Sequence, residues 1–400
     1  MKKVLIFDMQ YYPFVGGAEV AIKEITDRIP AGEVEFHLVT CRFDSTIPKT
    51  ERLGNVTVHR IGFGVPHPGI GDLKKFPLHL NKHVYQLLAA WEALWLHRRY
   101  RYDGTWAMMA HSAGIPAGIF KALNPKVRYL LTLQEGDPPE YIEGLMRPVM
   151  PLFRQGFTKA DELQAISTFL LRWGKRMGFR GEGIVIPNAV DTAHFAKPIP
   201  DTDVRAMQEK LGKKESDVFL VTTSRLVHKN AVDDVIRALP LLPEHVSFIV
   251  FGIGPDEEML KGLATELGVA HRVQFRGQIG HAEMPVALRA CDIFIRPSRS
   301  EGMGNSFVEA MAAGLPVIAT QEGGIADFLF DEKRNPDKEP TGWAVSKDSP
   351  EEIAGAVRDI IANPEKVQRV TATAKAMVIE HYDWNTVAAS MQSLFRRLLR

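Results

Sequence analysis

Glu301 and Glu309 stand with seven residues between them, on either side of a glycine loop, Gly302-Met303-Gly304. The loop opens into an apolar run, Phe307, Val308, Ala310, Met311 and Ala312, at helical spacing. A glycine loop feeding a helix N-terminus leaves backbone N–H groups unpaired and adds the positive end of a helix dipole, which suits phosphate. Carboxylates are poor phosphate ligands but good acceptors for sugar hydroxyls. Two carboxylates bracketing an anion site therefore suit a diphosphate with a sugar on either end, a nucleotide sugar.

Short elements must position these groups. Ile293–Ile295 is an apolar run closed by Arg296-Pro297-Ser298, a buried strand followed by a turn signal. The helix is expected to start near Asn305 or Ser306, both good N-cap types. Gly314 stands where a C-cap glycine belongs, and Pro316 bars continuation. Leu315–Ala319 is the next strand. The same alternation fills the chain. Candidate strands in the first half are Val4–Asp8, Glu35–Thr40, Val56–Ile61, Arg128–Gln134, Glu162–Ser167 and Gly183–Ile186. In the second half they are Val218–Thr223, Val246–Phe251, Arg272–Phe275, Asp292–Ile295, Leu315–Thr320 and Gly342–Val345. Strands alternating with helices predict an α/β protein with parallel sheets, and ligands at the carboxyl ends of the strands.

At 400 residues the chain exceeds one ordinary core, so two domains are expected. Its composition, 45% apolar and 24% charged, is that of a globular protein, and a net charge of +1 gives no general pull toward nucleic acid. Cys41 and Cys291 form no close pair, which points to a reducing compartment and no structural zinc. The opening MKKVLIFDMQYYPF reads as a first buried strand rather than a signal peptide, and no run is long enough for a membrane span.

Further motifs carry a family resemblance: GGAE at 16–19, IPNAVD at 186–191, SRL at 224–226, FGIGP at 251–255, VQFRG at 273–277, PSRSEGMG at 297–304, EAMAAGLPVIAT at 309–320 and GG at 323–324. In this order, with the E-x7-E pair, the chain resembles the retaining GT-B glycosyltransferases of the family 4 type over nearly its whole length. The resemblance implies two Rossmann-like domains facing each other across a cleft. It places an acceptor-binding domain at 1–190, a donor-binding domain at 191–378, and a helix at 379–400 returning to the first domain. It implies metal-independent transfer of a hexosyl group from a UDP- or GDP-sugar to a glycan or lipid-linked acceptor, with retention and no cofactor. Retention would follow the family's proposed same-face mechanism, with a leaving phosphate oxygen as base. Glu301 would contact the donor sugar, and Glu309 the ribose. The amides of Gly302, Met303, Gly304, Asn305 and Ser306, with Arg225 and Lys229, would hold the diphosphate. Gly17, Gly252 and Gly254 would admit the donor, and the segment around Phe275 would meet the base.

Departures from the family pattern are specific. The position of the family's TxH histidine holds Gln134, in Thr132-Leu133-Gln134, and a glutamine can still hydrogen-bond a sugar hydroxyl. The family lysine five residues after the arginine is replaced by Asn230, with Lys229 one residue early. His111, Gln134, Glu135 and Asp137 are acceptor-side candidates. His111 reads equally as a satisfied structural histidine, and the two carboxylates equally as solvated loop residues. Asp201-Thr202-Asp203 matches the metal signature of a different transferase fold, but it lies in the linker-like stretch Thr192–Lys214 and reads as solvated surface. Leu73–Arg101 is basic and aromatic, with Leu80, Val84, Leu87, Leu88, Trp91, Leu94 and Trp95 at helical spacing. The first reading is a core-facing helix; the second is an interfacial helix at anionic lipid. The expected location is cytoplasmic, with peripheral contact to the inner membrane face under the second reading. Two rival functions share these motifs: a sugar-nucleotide epimerase of GT-B fold, and a non-catalytic nucleotide-sugar-binding module.

Overall fold

The computed structural model describes residues 1–69 and 71–400. The chain divides into two compact units, Met1–Asn188 with Trp384–Arg400, and Ala189–Asp383. The first holds an eight-stranded sheet. Its strands are β1 (Lys2–Phe7), β2 (Val34–Cys41), β3 (Thr50–Leu53), β4 (Val56–Ile61), β5 (Gly104–Met108), β6 (Arg128–Leu133), β7 (Glu162–Ala165) and β8 (Ile184–Val185), in the order β3-β4-β2-β1-β5-β6-β7-β8. All pairings are parallel except β3 with β4. The central strands are apolar on both faces, as a sheet covered by helices requires: Val4 to Phe7 are all buried.

The second unit holds β9 (Val218–Thr223), β10 (Val246–Phe251), β11 (Val273–Gly277), β12 (Ile293–Arg296), β13 (Val317–Ala319) and β14 (Trp343–Ala344), all parallel, in the order β11-β10-β9-β12-β13-β14. Its core is built from the strand centres, Leu220, Phe248, Val250, Ile293, Ile295 and Ile318, and from the inner faces of the Val232–Ala238, Glu257–Glu266 and Pro350–Ala362 helices.

The expected boundaries at 190/191 and 378/379 move. The Pro364–His381 helix continues unbroken through 378 and stays with the second unit. The Trp384–Leu398 helix alone belongs to the first. There Phe395 packs edge-on against Phe36 and Trp106, and Arg397 bonds Glu162 at 3.0 Å. Gly104 makes room for this helix, since a Cβ there would lie 2.6 Å from Leu399. The two crossing segments are tied to each other: Val190 N–H donates to the Tyr382 carbonyl at 2.9 Å, and Thr192 Oγ1 donates to Asp383.

The stretch 192–214 is not an open linker. It folds into helices Thr192–Ala196 and Asp201–Leu211, and Asp201 and Asp203 occupy the first turn of the second, where the helix dipole favours negative charge. The basic aromatic segment forms the Asn81–Tyr100 helix, but its packed side is not the expected one. Tyr85, Ala89, Ala90, Ala93 and Leu96 are buried, while Leu87, Leu88, Trp91 and Trp95 are exposed.

Candidate functional site

Four neighbouring strands of the second sheet, β10, β9, β12 and β13, deliver at their carboxyl ends the loops that carry the motifs. The loops interlock through their backbones. Leu226 N–H donates to the Ile253 carbonyl at 3.0 Å, Arg299 N–H to Lys229 at 2.7 Å, and Gly324 N–H to Glu301 at 3.0 Å. Glycines make these approaches possible. A Cβ on Gly252 would fall 1.8 Å from the Ser224 oxygen, on Gly254 2.1 Å from Leu226, and on Gly323 2.0 Å from Glu301. On the side where a Cβ would stand, Gly252 and Gly254 make room for the backbone of the Ser224–Leu226 segment. Phe275 is half-buried against the core, with the Lys261 ammonium 5.8 Å from its ring.

The helix after β12 runs Asn305–Ala313. Its N-cap is Gly304, at φ +88°, and not Asn305 or Ser306. A Cβ on Gly304 would lie 2.6 Å from the Phe307 ring and 2.7 Å from Arg296. Asn305 and Ser306 thus occupy the first turn and leave their amides at the helix mouth. The Met303 side chain is buried in the core, so only its backbone faces that mouth. Gly314 closes the helix at φ +85°.

Arg296 is the centre of the site. It ends β12, its guanidinium is buried, and it donates at 2.8 Å to Glu301 Oε2 and at 2.8 Å to Ser306 Oγ. It also lies over the Phe307 ring at 4.2 Å, a cation–π contact in a desolvated place. Burial lowers its pKa from the ordinary arginine value, and the charges of Glu301 and Glu309 offset that only in part. The Glu309 carboxyl keeps part of its surface open, yet the dense protein around it pushes its pKa up to about 7, with Arg296 and His194 pulling it back. His194 stacks on His281 at 4.7 Å.

Arg225 is exposed on the loop after β9, and Lys229 is half-buried beyond it. Asn230 turns inward and donates to the Arg225 carbonyl at 2.6 Å, so its amide braces the loop. Arg299 is spent on structure. It bonds Asp233 through two nitrogens at 2.9 Å each and Asp348 at 2.6 Å.

The first unit places the remaining candidates at the ends of β1, β5 and β6. Gly17 opens the Gly17–Arg28 helix with nothing within 4 Å of a Cβ, so the fold itself does not demand glycine there. Glu19 accepts from Gly16 N–H at 2.5 Å and braces that turn. Glu135 is corrected: its carboxylate is buried and accepts from the backbone N–H groups of Ala110 (2.5 Å), Gln134 (3.0 Å) and His111 (3.4 Å), which leaves it no face toward a ligand. His111 Nδ1 lies 3.6 Å from the same carboxylate, on a half-buried ring. Gln134 forms a reciprocal amide pair with Asn188 of the junction motif, at 3.0 and 3.1 Å. Asp137 is exposed before the Pro139–Met146 helix.

In the sequence Arg296 reads as part of a turn signal, and His194 carries no signal of a place beside Glu309. The available signal for the first was a charged residue directly continuing an apolar strand, five positions before Glu301. Nothing local marked His194.

Comparison with known proteins adds the following. Residues 15–194 match the family described as Glycosyltransferase Family 4, and residues 203–377 match Glycosyl transferases group 1. The GDP-mannose-dependent alpha-(1-6)-phosphatidylinositol monomannoside mannosyltransferase of Mycolicibacterium smegmatis is 34% identical over 220 residues, 52% of this chain and 55% of that protein. The chain thus spans about half the length of this curated relative. The D-inositol 3-phosphate glycosyltransferase of Streptomyces scabiei is 26% identical over 95% of this chain and 86% of its own length. Among solved structures, sucrose-phosphate synthase from Thermosynechococcus elongatus superposes with a TM-score of 0.80 at 19% identity, covering 100% of this chain and 99% of that one. The Anabaena protein HepE, in complex with UDP and glucose, gives 0.76 at 21% identity with both chains fully covered. These likenesses show the GT-B fold.

Proposed function

This chain belongs to the GT-B glycosyltransferases of the group 1 and family 4 type, and from that premise we propose that it moves a hexosyl group from a nucleoside diphosphate sugar to a glycan or lipid-linked hydroxyl, with retention and without a metal. The observation that carries this reading is the Glu301–Arg296–Ser306 arrangement at the mouth of the Asn305–Ala313 helix, with Glu309 one turn in. One oxygen of Glu301 is held by Arg296, and the other is left to accept from a sugar hydroxyl. Glu309 accepts from the ribose. The Gly302–Ser306 amides, Arg225 and Lys229 hold the diphosphate. These cations and the helix end balance the charge that grows as the bond from the anomeric carbon to the phosphate oxygen breaks. The acceptor oxygen bonds to that carbon on the same face, and its proton passes to the departing diphosphate. UDP- and GDP-sugars are both in scope: the mycolicibacterial relative is named for GDP-mannose, and the Anabaena structure holds UDP. The same proposal includes a cytoplasmic location with peripheral contact to the inner membrane face.

The test is a panel of UDP-, GDP- and ADP-sugars, incubated without added metal, with released nucleoside diphosphate as the readout. Slow release from one donor, abolished in Glu301→Gln while nucleotide still binds, supports the proposal. Equal loss of nucleotide affinity in that variant would make Glu301 a structural or nucleotide-binding residue. Conversion of a donor into its epimer without release would replace the transferase with the epimerase.

A further inference from the structure

Arg299 stands two residues before Glu301 and reaches across to the loop that carries Lys229. Every nitrogen of its guanidinium is engaged. Nη1 donates to the His228 carbonyl at 2.8 Å and to Asp233 at 2.9 Å, and Nη2 to Asp233 at 2.9 Å and Asp234 at 3.0 Å. Nε donates to Asp348 at 2.6 Å. The backbone N–H of Arg299 donates to the Lys229 carbonyl at 2.7 Å. One residue thus holds the chain just before Lys229, at Lys229 itself and one helical turn beyond it.

As a device for stability alone the arrangement is a poor one. Three carboxylates surround a single cation, and the side chains of Asp233 and Asp234 keep only 17% and 5% of their surface. Burial and the neighbouring Asp233 push the Asp234 carboxyl up to about 6, as expected where negative charge outweighs the cation that balances it. Both flanks are turns that side chains disfavour, with Ala231 at φ +53° and Asp348 at φ +55°. Such backbone persists only where its surroundings over-determine it, and it gathers at functional sites. Apolar packing of similar volume would join the two loops at least as firmly. A planar fork that bonds in fixed directions adds what apolar packing lacks, a set separation between them. The two loops are the two halves of the donor site: Lys229 is on one and Glu301 on the other.

We infer that Arg299 is a positioning residue for glycosyl transfer, which touches no substrate and sets where Lys229 stands relative to Glu301 as charge grows on the departing diphosphate. The inference rests on the donor-site reading proposed above and deepens it. Affinity in the ground state is shared among Glu309, the Gly302–Ser306 amides and Arg225, whereas the growing charge falls to the nearest cations. Loosening the Lys229 loop therefore lowers turnover before it lowers affinity.

Arg299→Gln, Lys229→Met and the double variant are compared with wild type on whichever sugar nucleotide of the panel the wild type cleaves. Calorimetric titration gives Kd and the fraction of folded sites, and released nucleoside diphosphate gives kcat per folded site. Arg299→Gln should lower kcat by about ten- to a hundredfold, the size of effect that a displacement near 1 Å produces, with Kd changed less than about threefold. Lys229→Met should be slowed similarly. The double variant should match the slower single within about threefold, because both changes remove one interaction. Arg299→Lys keeps the charge and loses the fork, so it should regain melting temperature but less than about a third of the lost rate. Losses that multiply in the double variant overturn the inference, as does wild-type kcat per folded site in Arg299→Gln. Should Arg299→Gln not fold, Asp348→Asn makes the same test: its carboxyl is exposed and it frees only Nε. It should lower kcat by about threefold in the wild type and not at all in the Lys229→Met background; equal losses in both overturn the inference. A wild type that binds no sugar nucleotide sinks the donor-site reading itself. A wild type that binds and cleaves one, with Lys229→Met at the same rate, overturns this inference alone.

Discussion

Affinity for a sugar nucleotide should fall about tenfold as the pH is lowered from 8 to 6, and Glu309 should be the cause. Burial pushes its carboxyl up to about 7 in the free protein, with Arg296 and His194 as the charged neighbours that restrain the shift. At pH 8 it is then about nine-tenths ionised, and at pH 6 about one-tenth. If the ribose hydroxyls bind the carboxylate, the proton must leave first at pH 6, at about 1.4 kcal/mol for each pH unit below the midpoint. The intact sugar nucleotide is the right probe, because neither of its phosphates titrates in this window. Calorimetric titration at constant ionic strength gives the slope. Glu309→Gln should bind more weakly at pH 8 but with no slope. The same shift has a stability side. The folded-state value is raised, so the contribution of the neutral acid is full below the ordinary carboxylate value and is lost as the pH rises through about 7. Glu309→Gln should therefore raise the melting temperature at pH 8, where up to about 3 kcal/mol of burial cost is relieved, and change it little at pH 4. A wild-type affinity flat within twofold from pH 6 to 8, or a glutamine variant with the same slope, would refute the reasoning.

Replacing Arg296 with Met strands a half-buried Glu301 carboxylate and should cost about 3 kcal/mol, whereas Arg296→Met in a Glu301→Gln background should cost clearly less; additive melting-temperature losses would show that the pair is not coupled. Gly323→Ala puts a methyl group 2.0 Å from the Glu301 carbonyl, and at a positive φ it should destabilise the second unit and cut donor turnover more than nucleotide affinity, both read on the purified variant. Asn188→Ala removes the partner of Gln134 and should cost about 1–2 kcal/mol in thermal stability; restoration by Gln134→Leu in the same chain would confirm that the loss is an unpaired amide.

Much of the fold was legible because parallel strands covered on both faces are written as uninterrupted apolar runs. Leu220–Val221 and Ile293–Ile295 are examples, each ending in a turn signal beside a motif. β3 was not legible: Thr50–Leu53 is a polar edge strand whose pairing with β4 leaves no apolar pattern. The glycines at 252 and 254 announced a close approach, but sequence cannot say whether the approaching atoms belong to a ligand or to another loop. Glu135 illustrates the same limit. A carboxylate after a strand looks available, and only the fold shows three backbone N–H groups already occupying it. The core-facing reading of the Asn81–Tyr100 helix fails because its periodicity is real while its direction is not encoded. Large apolar residues and alanines alternate around it, and the sheet took the alanine side.

The first unit is interrupted by the second: its sheet is complete by β8, but the helix that seats Phe395 on Phe36 and Trp106 comes after residue 383. During synthesis on the ribosome, most of the inserted unit emerges while its host still lacks a wall. The nascent host must keep the Phe36–Trp106 surface out of intermolecular contact for the time needed to translate nearly two hundred further residues. A released chain ending at Asp383 should therefore pair an aggregation-prone, chaperone-bound first unit with a native second one. Supplying Trp384–Arg400 in trans, as a peptide, should rescue the first unit.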